Sequence, residues 1–507
     1  MRARDTLRVM APSLRAGGIL LAYGALLLLL APAEINGDGV GYLRQIPQHT
    51  LAPGHLAYLP LLRLLAHVWP HGALLDLVLP ARLLSLACAL TSLVLLYDSA
   101  HRLHGQRQHG MLAVALLGLS HCFIRSSVEV EVYAISTLLA TGALWALTRS
   151  RQSLRWALPA GLLAGTAVLL HLTLTLLALP LILLLARSEC SARRGRPPRE
   201  GPRRLALPRA ALAGIGAMAL VIVLALGASL AHRGLPAGEV WGWLRSADHG
   251  IPDPHGWLAP LVALWGIARS LVHVPYPYES SMTLVLTLTL LAASCWIVAL
   301  SRIHRVRIDW FALLSWSLPL ALFAITFFPS DTERWLFVLP AVALYLAPAL
   351  RCLPCWRLAV LLSTMAAVNL GLGQAPAAFR RRPLQRARAV EQIVSSRSLV
   401  VSPGHGWDEL VGLGMAREPE RYPLIYHVGA DGGLQRAAAQ MHRRICAALA
   451  AGRPVFVVRL EDSVDPRGFK ELAWFGLSRR GFAELFRRYR PGAGGAAGLW
   501  QLERPAP

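Results

Sequence analysis

The chain has 507 residues, of which 55% are hydrophobic and only 16% charged, with a mean hydropathy of +0.47. Soluble domains carry about 25% charged residues, so an ordinary soluble enzyme is excluded. The formal net charge is nevertheless +23, from 51 Lys+Arg against 28 Asp+Glu, and such a charge fits an apolar chain when it sits in the loops between membrane spans.

Crossing a bilayer takes about 20 apolar residues in a helix. Taken in chain order, apolar runs bounded by Arg, Pro or polar clusters predict eleven spans: 17–33, 80–97, 110–125, 133–148, 156–170, 172–187, 210–231, 282–301, 310–328, 335–350 and 357–375. Two further apolar segments, 56–69 and 258–274, are interrupted by Pro60 and Arg63 and by Pro260 and Arg269. They are expected to lie at the interface. The Ala31–Ala33 end of the first run resembles a signal-peptide cleavage site, but the topology works with that helix retained. The expected fold class is therefore an all-α polytopic membrane protein.

Arginine sets the orientation. Twenty-two arginines fall in the N-terminus and in the alternate loops 98–109, 149–155, 187–209, 302–309 and 351–357. The intervening loops 34–79, 126–132, 171, 232–281 and 329–334 hold six. Lys/Arg excess marks the cytoplasmic side, so the N-terminus is expected inside and the C-terminal region outside. This address for the charge leaves nucleic acid without a case as a partner. Eleven of the sixteen acids in residues 1–375 lie in the outer loops, among them Asp38, Glu129, Glu131, Asp331 and Glu333, which places any chemistry at the outer face.

From residue 376 the composition changes. A basic stretch, Arg380 to Arg388, precedes short β-rich runs at 398–402 and 455–460 and helical spacing at 437–451 and 480–489. The expectation is a membrane domain over 1–375 and a small extracytoplasmic α/β domain over 376–507. That domain has no Gly-rich phosphate loop and no nucleophile elbow. Cysteine adds little. Cys352 and Cys355 form a lone CxxC with no second pair, so no residue set is assigned to a metal.

Four stretches could carry chemistry. Asp38 lies between glycines directly after the first span, where it is either a reactive carboxylate on a tight turn or a solvated turn residue. Glu129 and Glu131 alternate with valines in a short link, and extended backbone would point both the same way. Intramembrane acids are costly unless functional or paired, here with Arg125. Arg334 is a cation at the surface suited to a lipid phosphate, or else the partner of Asp331 or Glu333. His171 and Arg82 interrupt apolar runs at span ends, where interfacial anchors are also common.

The order of these features resembles the GT-C superfamily of integral-membrane glycosyltransferases, and within it the bacterial protein-O-mannosyltransferase-like branch. Asp38 stands just after the first span, followed by Pro53-Gly54 and Tyr58; Glu131-Val132-Tyr133-Ala134-Ile135 opens a later span; His171-Leu172-Thr173 opens another. The likeness runs over roughly 15–350. The sequence departs from the pattern at Gly41, where an acid often follows the Asp, and at Leu51-Ala52 before Pro53-Gly54, where a His often stands.

The resemblance implies a bacterial inner-membrane enzyme that moves a sugar from a polyprenyl-phosphate donor to an extracytoplasmic glycolipid, glycan or protein, with inversion. It implies Asp38 as general base, and Glu131 orienting the acceptor or holding a divalent metal with Asp38. The leaving phosphate would be met by Arg334, with Arg82, His171 and Tyr133 as helpers. Pro53, Gly54, Tyr58 and Glu129 would shape the loop or bind acceptor. No cofactor is firmly implied, because members of the superfamily differ in metal use. The competing expectation is a transporter or flippase of a lipid-linked or polar substrate. The sequence shows no internal repeat and keeps its charges at span ends, which favours the enzyme.

Overall fold

A computed structural model describes residues 17–32, 35–48, 51, 54–70, 73–194, 209–234, 237–239, 256–273, 306, 308–327, 329–376, 389–402, 419–424, 427–428, 433–458, 477–491 and 499–503. The expected span 282–301, the Arg380–Arg388 stretch and Pro53 lie outside them. The chain is mostly helical, and Cα proximity divides it into two compact units, one of 1–31, 49–64 and 81–376, the other of 32–48, 65–80 and 377–507.

Helices run in the order α1 (Gly17–Leu29), α2 (Gly37–Gln45), α3 (Tyr58–Val68), α4 (Val78–His104), α5 (Arg107–Gly118), α6 (His121–Ser126), α7 (Tyr133–Ser150), α8 (Ala157–Leu170), α9 (Ala178–Arg194) and α10 (Arg209–Arg233). Then follow α11 (Ala259–Leu271), α12 (Trp310–Phe327), α13 (Thr332–Trp335), α14 (Leu339–Leu350) and α15 (Cys355–Ala366), which continues as a π-helical segment, Ala367–Gln374. Five stretches among the described residues are long and apolar enough to cross a membrane: Leu74–His104, Leu172–Cys190, Arg209–His232, Trp310–Phe327 and Cys355–Gln374. Shorter apolar helices accompany them, including Tyr58–Val68 and one spanning Gly256–Leu271, where interfacial segments were expected.

Helix ends depart from the apolar runs for local reasons. The run 110–125 is two helices, parted at Leu119 and Ser120, where the Ser120 hydroxyl donates to the Leu117 carbonyl at 2.6 Å and α6 starts afresh. The run 335–350 begins only at Leu339. Before it Asp331 caps the one-turn α13, accepting from the Glu333 amide at 3.0 Å. The run 172–187 starts as a 3-10 turn over Leu172–Leu177, since His171 takes up extended backbone after α8.

Charges at the arginine-rich helix ends of the first unit are knitted together. Asp98 on α4 accepts from Arg102 at 2.8 Å, and from Arg149 at 2.9 Å and Trp145 Nε1 at 2.8 Å on α7. Asp309 accepts from Arg187 at 2.6 Å, from Arg151 at 2.8 Å and from the first-turn amide of Ala312 at 3.1 Å. It thus caps α12 while tying it to α7 and α9. Buried Glu189 on α9 accepts from the Ala210 amide at 2.8 Å, meeting an orphan donor at the start of α10.

Two features hold the region around the candidate site. The amide of Asn369, wholly buried in the π-helical segment, donates to the carbonyls of Leu119 and Leu271, both at 2.7 Å, and accepts from the His273 amide at 3.1 Å. One side chain so joins three segments distant in sequence. Gly266 on α11 packs against Pro329, where any Cβ would overlap the Pro329 carbonyl and crowd the Trp335 indole. Trp335 Nε1 donates to that same carbonyl at 3.0 Å.

In the second unit, α2 packs against the 3-10 turn Leu74–Leu77. Its C-terminal residues hold a small five-stranded sheet with helices. Its sheet has the order β2-β1-β3-β5-β4, with β1 (Leu399–Ser402) parallel to β2 (Glu420–Pro423) and β3 (Val455–Val458). Strand β5 (Leu499–Glu503) runs antiparallel to β3 and to β4 (Arg490–Pro491). Helix α16 (Leu434–Ala450) lies between β2 and β3 in the chain, and buries Ala437, Met441 and Ile445 in a core with Val401, Tyr422, Val457 and Phe482. The expected helix 480–489 is shorter: α17 (Arg479–Glu484), capped by Ser478, gives way to turns before β4.

Candidate active site

The first unit brings together most of the residues singled out in the sequence. The link between α6 and α7 is buried on both sides: Val128, Val130 and Val132 are no more than 1% exposed, Glu129 is 7% and Glu131 is 1% exposed. It is a run of turns and bends, not a strand. Buried irregular backbone must find partners. The Ser127 amide donates to the Phe123 carbonyl at 3.0 Å, and the Glu129 carbonyl accepts from Ser85 on α4 at 2.8 Å.

The two glutamates share their site with a third. Carboxylate oxygens of Glu129, Glu131 and Glu333 all lie within 4.8 Å of one another. Arg125, one helical turn before Glu129, puts Nε 2.7 Å from a Glu129 oxygen and an amino nitrogen 3.8 Å from Glu333. Arg82 on α4 lies within electrostatic reach of Glu129. Arg334 pairs with Asp331 at 3.5 Å across the turn of α13. The cluster thus alternates acids and guanidinium groups, as buried charge requires.

Beside it stands an aromatic group. The His171 ring, 3% exposed, lies 5.4 Å from Tyr133, 5.3 Å from Phe337 and 5.4 Å from His55, centroid to centroid. The His55 Nδ1 meets the Leu170 carbonyl at 2.7 Å. A carbonyl only accepts, so that nitrogen carries the proton. The Leu172 amide donates to the Gly54 carbonyl at 3.3 Å and the Ala57 amide to the Leu169 carbonyl at 2.9 Å, which pins the loop of Gly54 to the break between α8 and its successor. Tyr58, 1% exposed, lies within electrostatic reach of Glu131. Tyr133 is likewise within reach of Glu131, Glu333 and Arg334.

The first unit therefore gathers Gly54, Tyr58, Arg82, Glu129, Glu131, Tyr133, His171 and Arg334. Asp38 belongs to the second unit, exposed in the first turn of α2, whose N-cap Asn36 accepts from the Gly39 amide at 2.8 Å. Sequence reasoning treated Arg125 and Glu333 only as neutralising partners and passed over His55, Phe337 and Ser85. The i,i+4 spacing of Arg125 and Glu129 was a usable signal, and so was a second histidine in the Pro-Gly loop. Glu333 reaches the trio only through tertiary packing.

Chemically, three carboxylates offer the hard oxygen donors that suit a divalent ion. Arg125 already bonds one of them and pairs with a second, so much of their charge is met from within the protein. The guanidinium groups, with planar forks, suit phosphate oxygens. Acids and cations side by side are what a transfer with a developing phosphate leaving group and a hydroxyl acceptor calls for.

The chain is similar to known proteins in part of its sequence and in its fold. Residues 76–197 match the dolichyl-phosphate-mannose-protein mannosyltransferase family. No curated protein matches the chain. Among solved structures, ArnT from Cupriavidus metallidurans bound to undecaprenyl phosphate is similar with a TM-score of 0.58 at 12% identity, over 97% of this chain and 98% of that one. The apo state of the same protein matches equally, with a TM-score of 0.58. The Archaeoglobus fulgidus oligosaccharyltransferase in complex with Zn and sulfate is similar with a TM-score of 0.51 at 11% identity, over 96% of this chain and 73% of that one. The chain thus has the fold of ArnT and of the oligosaccharyltransferase, and its segment 76–197 matches the mannosyltransferase family.

Proposed function

We propose that this protein is an inverting membrane glycosyltransferase that moves a sugar from a polyprenyl-phosphate donor to an acceptor on the outer face of a bacterial inner membrane. The observation that carries this is the convergence of Glu129, Glu131 and Glu333 with Arg125, Arg82 and Arg334 beside Tyr133 and His171. The shared fold with ArnT, which was solved bound to undecaprenyl phosphate, supports a lipid-linked donor.

In this reading the acceptor hydroxyl attacks C1 of the sugar. The new C1–O bond forms as the bond from C1 to the phosphate oxygen breaks, and the polyprenyl phosphate leaves with the electron pair. The hydroxyl proton passes to a carboxylate base, which the resemblance assigns to Asp38. Arg334 meets the charge growing on the phosphate, with Arg82, His171 and Tyr133 assisting. Glu131 orients the acceptor by accepting a hydrogen bond from it. Gly54, Tyr58 and Glu129 shape the loop around it, with Pro53 beside them in sequence. Eleven spans with the N-terminus inside and residues 376–507 outside complete the proposed topology.

The transporter reading predicts passage of an intact lipid-linked substrate between leaflets. The assay is therefore direct. Purified protein is incubated with polyprenyl-phosphate sugars and an envelope extract, and released polyprenyl phosphate is measured. Asp38→Asn abolishes release if the base assignment holds; unimpaired transfer in that variant removes Asp38 from the role.

A further inference from the structure

We propose that Arg125 is a positioning residue, a built-in cation that sets Glu131 and Arg334 at fixed places relative to one another. This rests on the transferase reading above. The geometry is specific. Helix α6 is short and anchored by buried Cys122, Phe123 and Ile124, none more than 2% exposed. The Arg125 guanidinium reaches four residues on to Glu129 through Nε, and across to Glu333 through a terminal nitrogen. Glu129 is two residues from Glu131, and Glu333 adjoins Arg334. One planar group so grips two segments two hundred residues apart in sequence, each beside a residue assigned to acceptor or phosphate.

Two physical consequences follow. A guanidinium has donors pointing in two fixed directions, whereas an ammonium is a point charge, so lysine supplies the charge without the fork. Removing the charge leaves three carboxylates within 4.8 Å of one another. Like charges so close repel one another, so the carboxylates shift from their places.

The test uses the full chain, purified in detergent, with an undecaprenyl-phosphate-linked sugar as donor. Rates are measured for wild type, Arg125→Gln, Arg125→Lys and Glu333→Gln across the pH range. Misplacement by about 1 Å costs roughly 10²-fold in rate, so Arg125→Gln is expected to lose kcat by about that factor with donor KM changed less than kcat. Arg125→Lys restores part of kcat, and Glu333→Gln loses less than Arg125→Gln.

An active wild type with an Arg125→Gln variant of unchanged kcat and donor KM overturns the positioning role and leaves the transferase reading standing. A wild type that consumes no polyprenyl-phosphate donor overturns both. Should Arg125→Gln fail to fold, Arg125→Lys and Glu333→Gln decide, and wild-type kcat in both overturns the role. Loss of wild-type activity in chelator, restored by Mn2+, with Arg125→Gln as active as wild type, assigns the trio to a metal and overturns it as well.

Discussion

Arg125 and Glu129 are four residues apart and meet at 2.7 Å, in a link that leaves the glutamate 7% exposed. The pair joins the end of α6 to the bend before α7, and Glu333 enters the same group from α13. Local spacing and long-range packing thus converge on one charged cluster, and its members differ in what their loss should do.

Glu131 is 1% exposed and sits among two other carboxylates. Glu131→Gln keeps the shape and removes the charge. If the carboxylate orients the acceptor hydroxyl, sugar transfer falls by about 10²-fold or more, the scale of a lost acid–base or orienting group. The melting temperature, measured beside the rate, separates a loss of transfer from a loss of fold. Unchanged transfer in this variant would exclude Glu131 from the chemistry.

Arg334 has a side chain 14% exposed and pairs with Asp331 at 3.5 Å. Arg334→Lys preserves the charge and loses the fork. A bidentate grip on phosphate is not replaced by lysine, and removal of one donor to a developing anion costs roughly 10² to 10³ in kcat. Steady-state kinetics with purified donor should show the loss in kcat; a wild-type rate would leave Arg334 as the partner of Asp331 and nothing more.

Asn369 makes three hydrogen bonds at full burial. Asn369→Ala leaves two carbonyls and an amide without that partner, and each unsatisfied buried group costs about 1–3 kcal/mol. Thermal unfolding in detergent should therefore start well below wild type. An unshifted melt would show that these groups find other partners at no cost.

Asp309 lies outside the span it caps. Burial pushes its carboxyl up, but hydrogen bonds from Arg187 and Arg151 outweigh this and hold it below the usual 3.8. A depressed pKa stabilises the fold above the unfolded value and is lost as pH falls through the folded one. Asp309→Asn should lower stability at neutral pH by about 1 kcal/mol, since the arginines are partly exposed. The gap to wild type should close only in acid below the usual carboxylate range. A gap that closes near pH 6 would point to another group.

Much of this was legible before any coordinates. Apolar runs announced the helices, because a bilayer demands length and hydrophobicity that few other structures need. His171 and Glu131 stood out because polar groups in such runs are costly. Other features were hidden for physical reasons. Asn369 looks like an incidental polar residue in an apolar run, and only tertiary packing reveals the carbonyls it serves. The parting of α5 from α6 falls at Leu119 and Ser120, inside a run that reads as one apolar stretch. Helix α4 runs to His104, past the apolar run's end at 97, because helices continue into polar residues beyond the membrane core. Strand β2 is Glu-Arg-Tyr-Pro, with little β character apart from Tyr422, and its place at the sheet edge comes from pairing with β1.

The central claim is sugar transfer from a lipid-linked donor. It is tested most directly by incubating the reconstituted protein with an undecaprenyl-phosphate-linked sugar labelled in the sugar and following both halves of the molecule. The account predicts that undecaprenyl phosphate is released while the label moves to an acceptor with inverted anomeric configuration. A donor that stays intact, whether left in place or carried to the other leaflet, would contradict it.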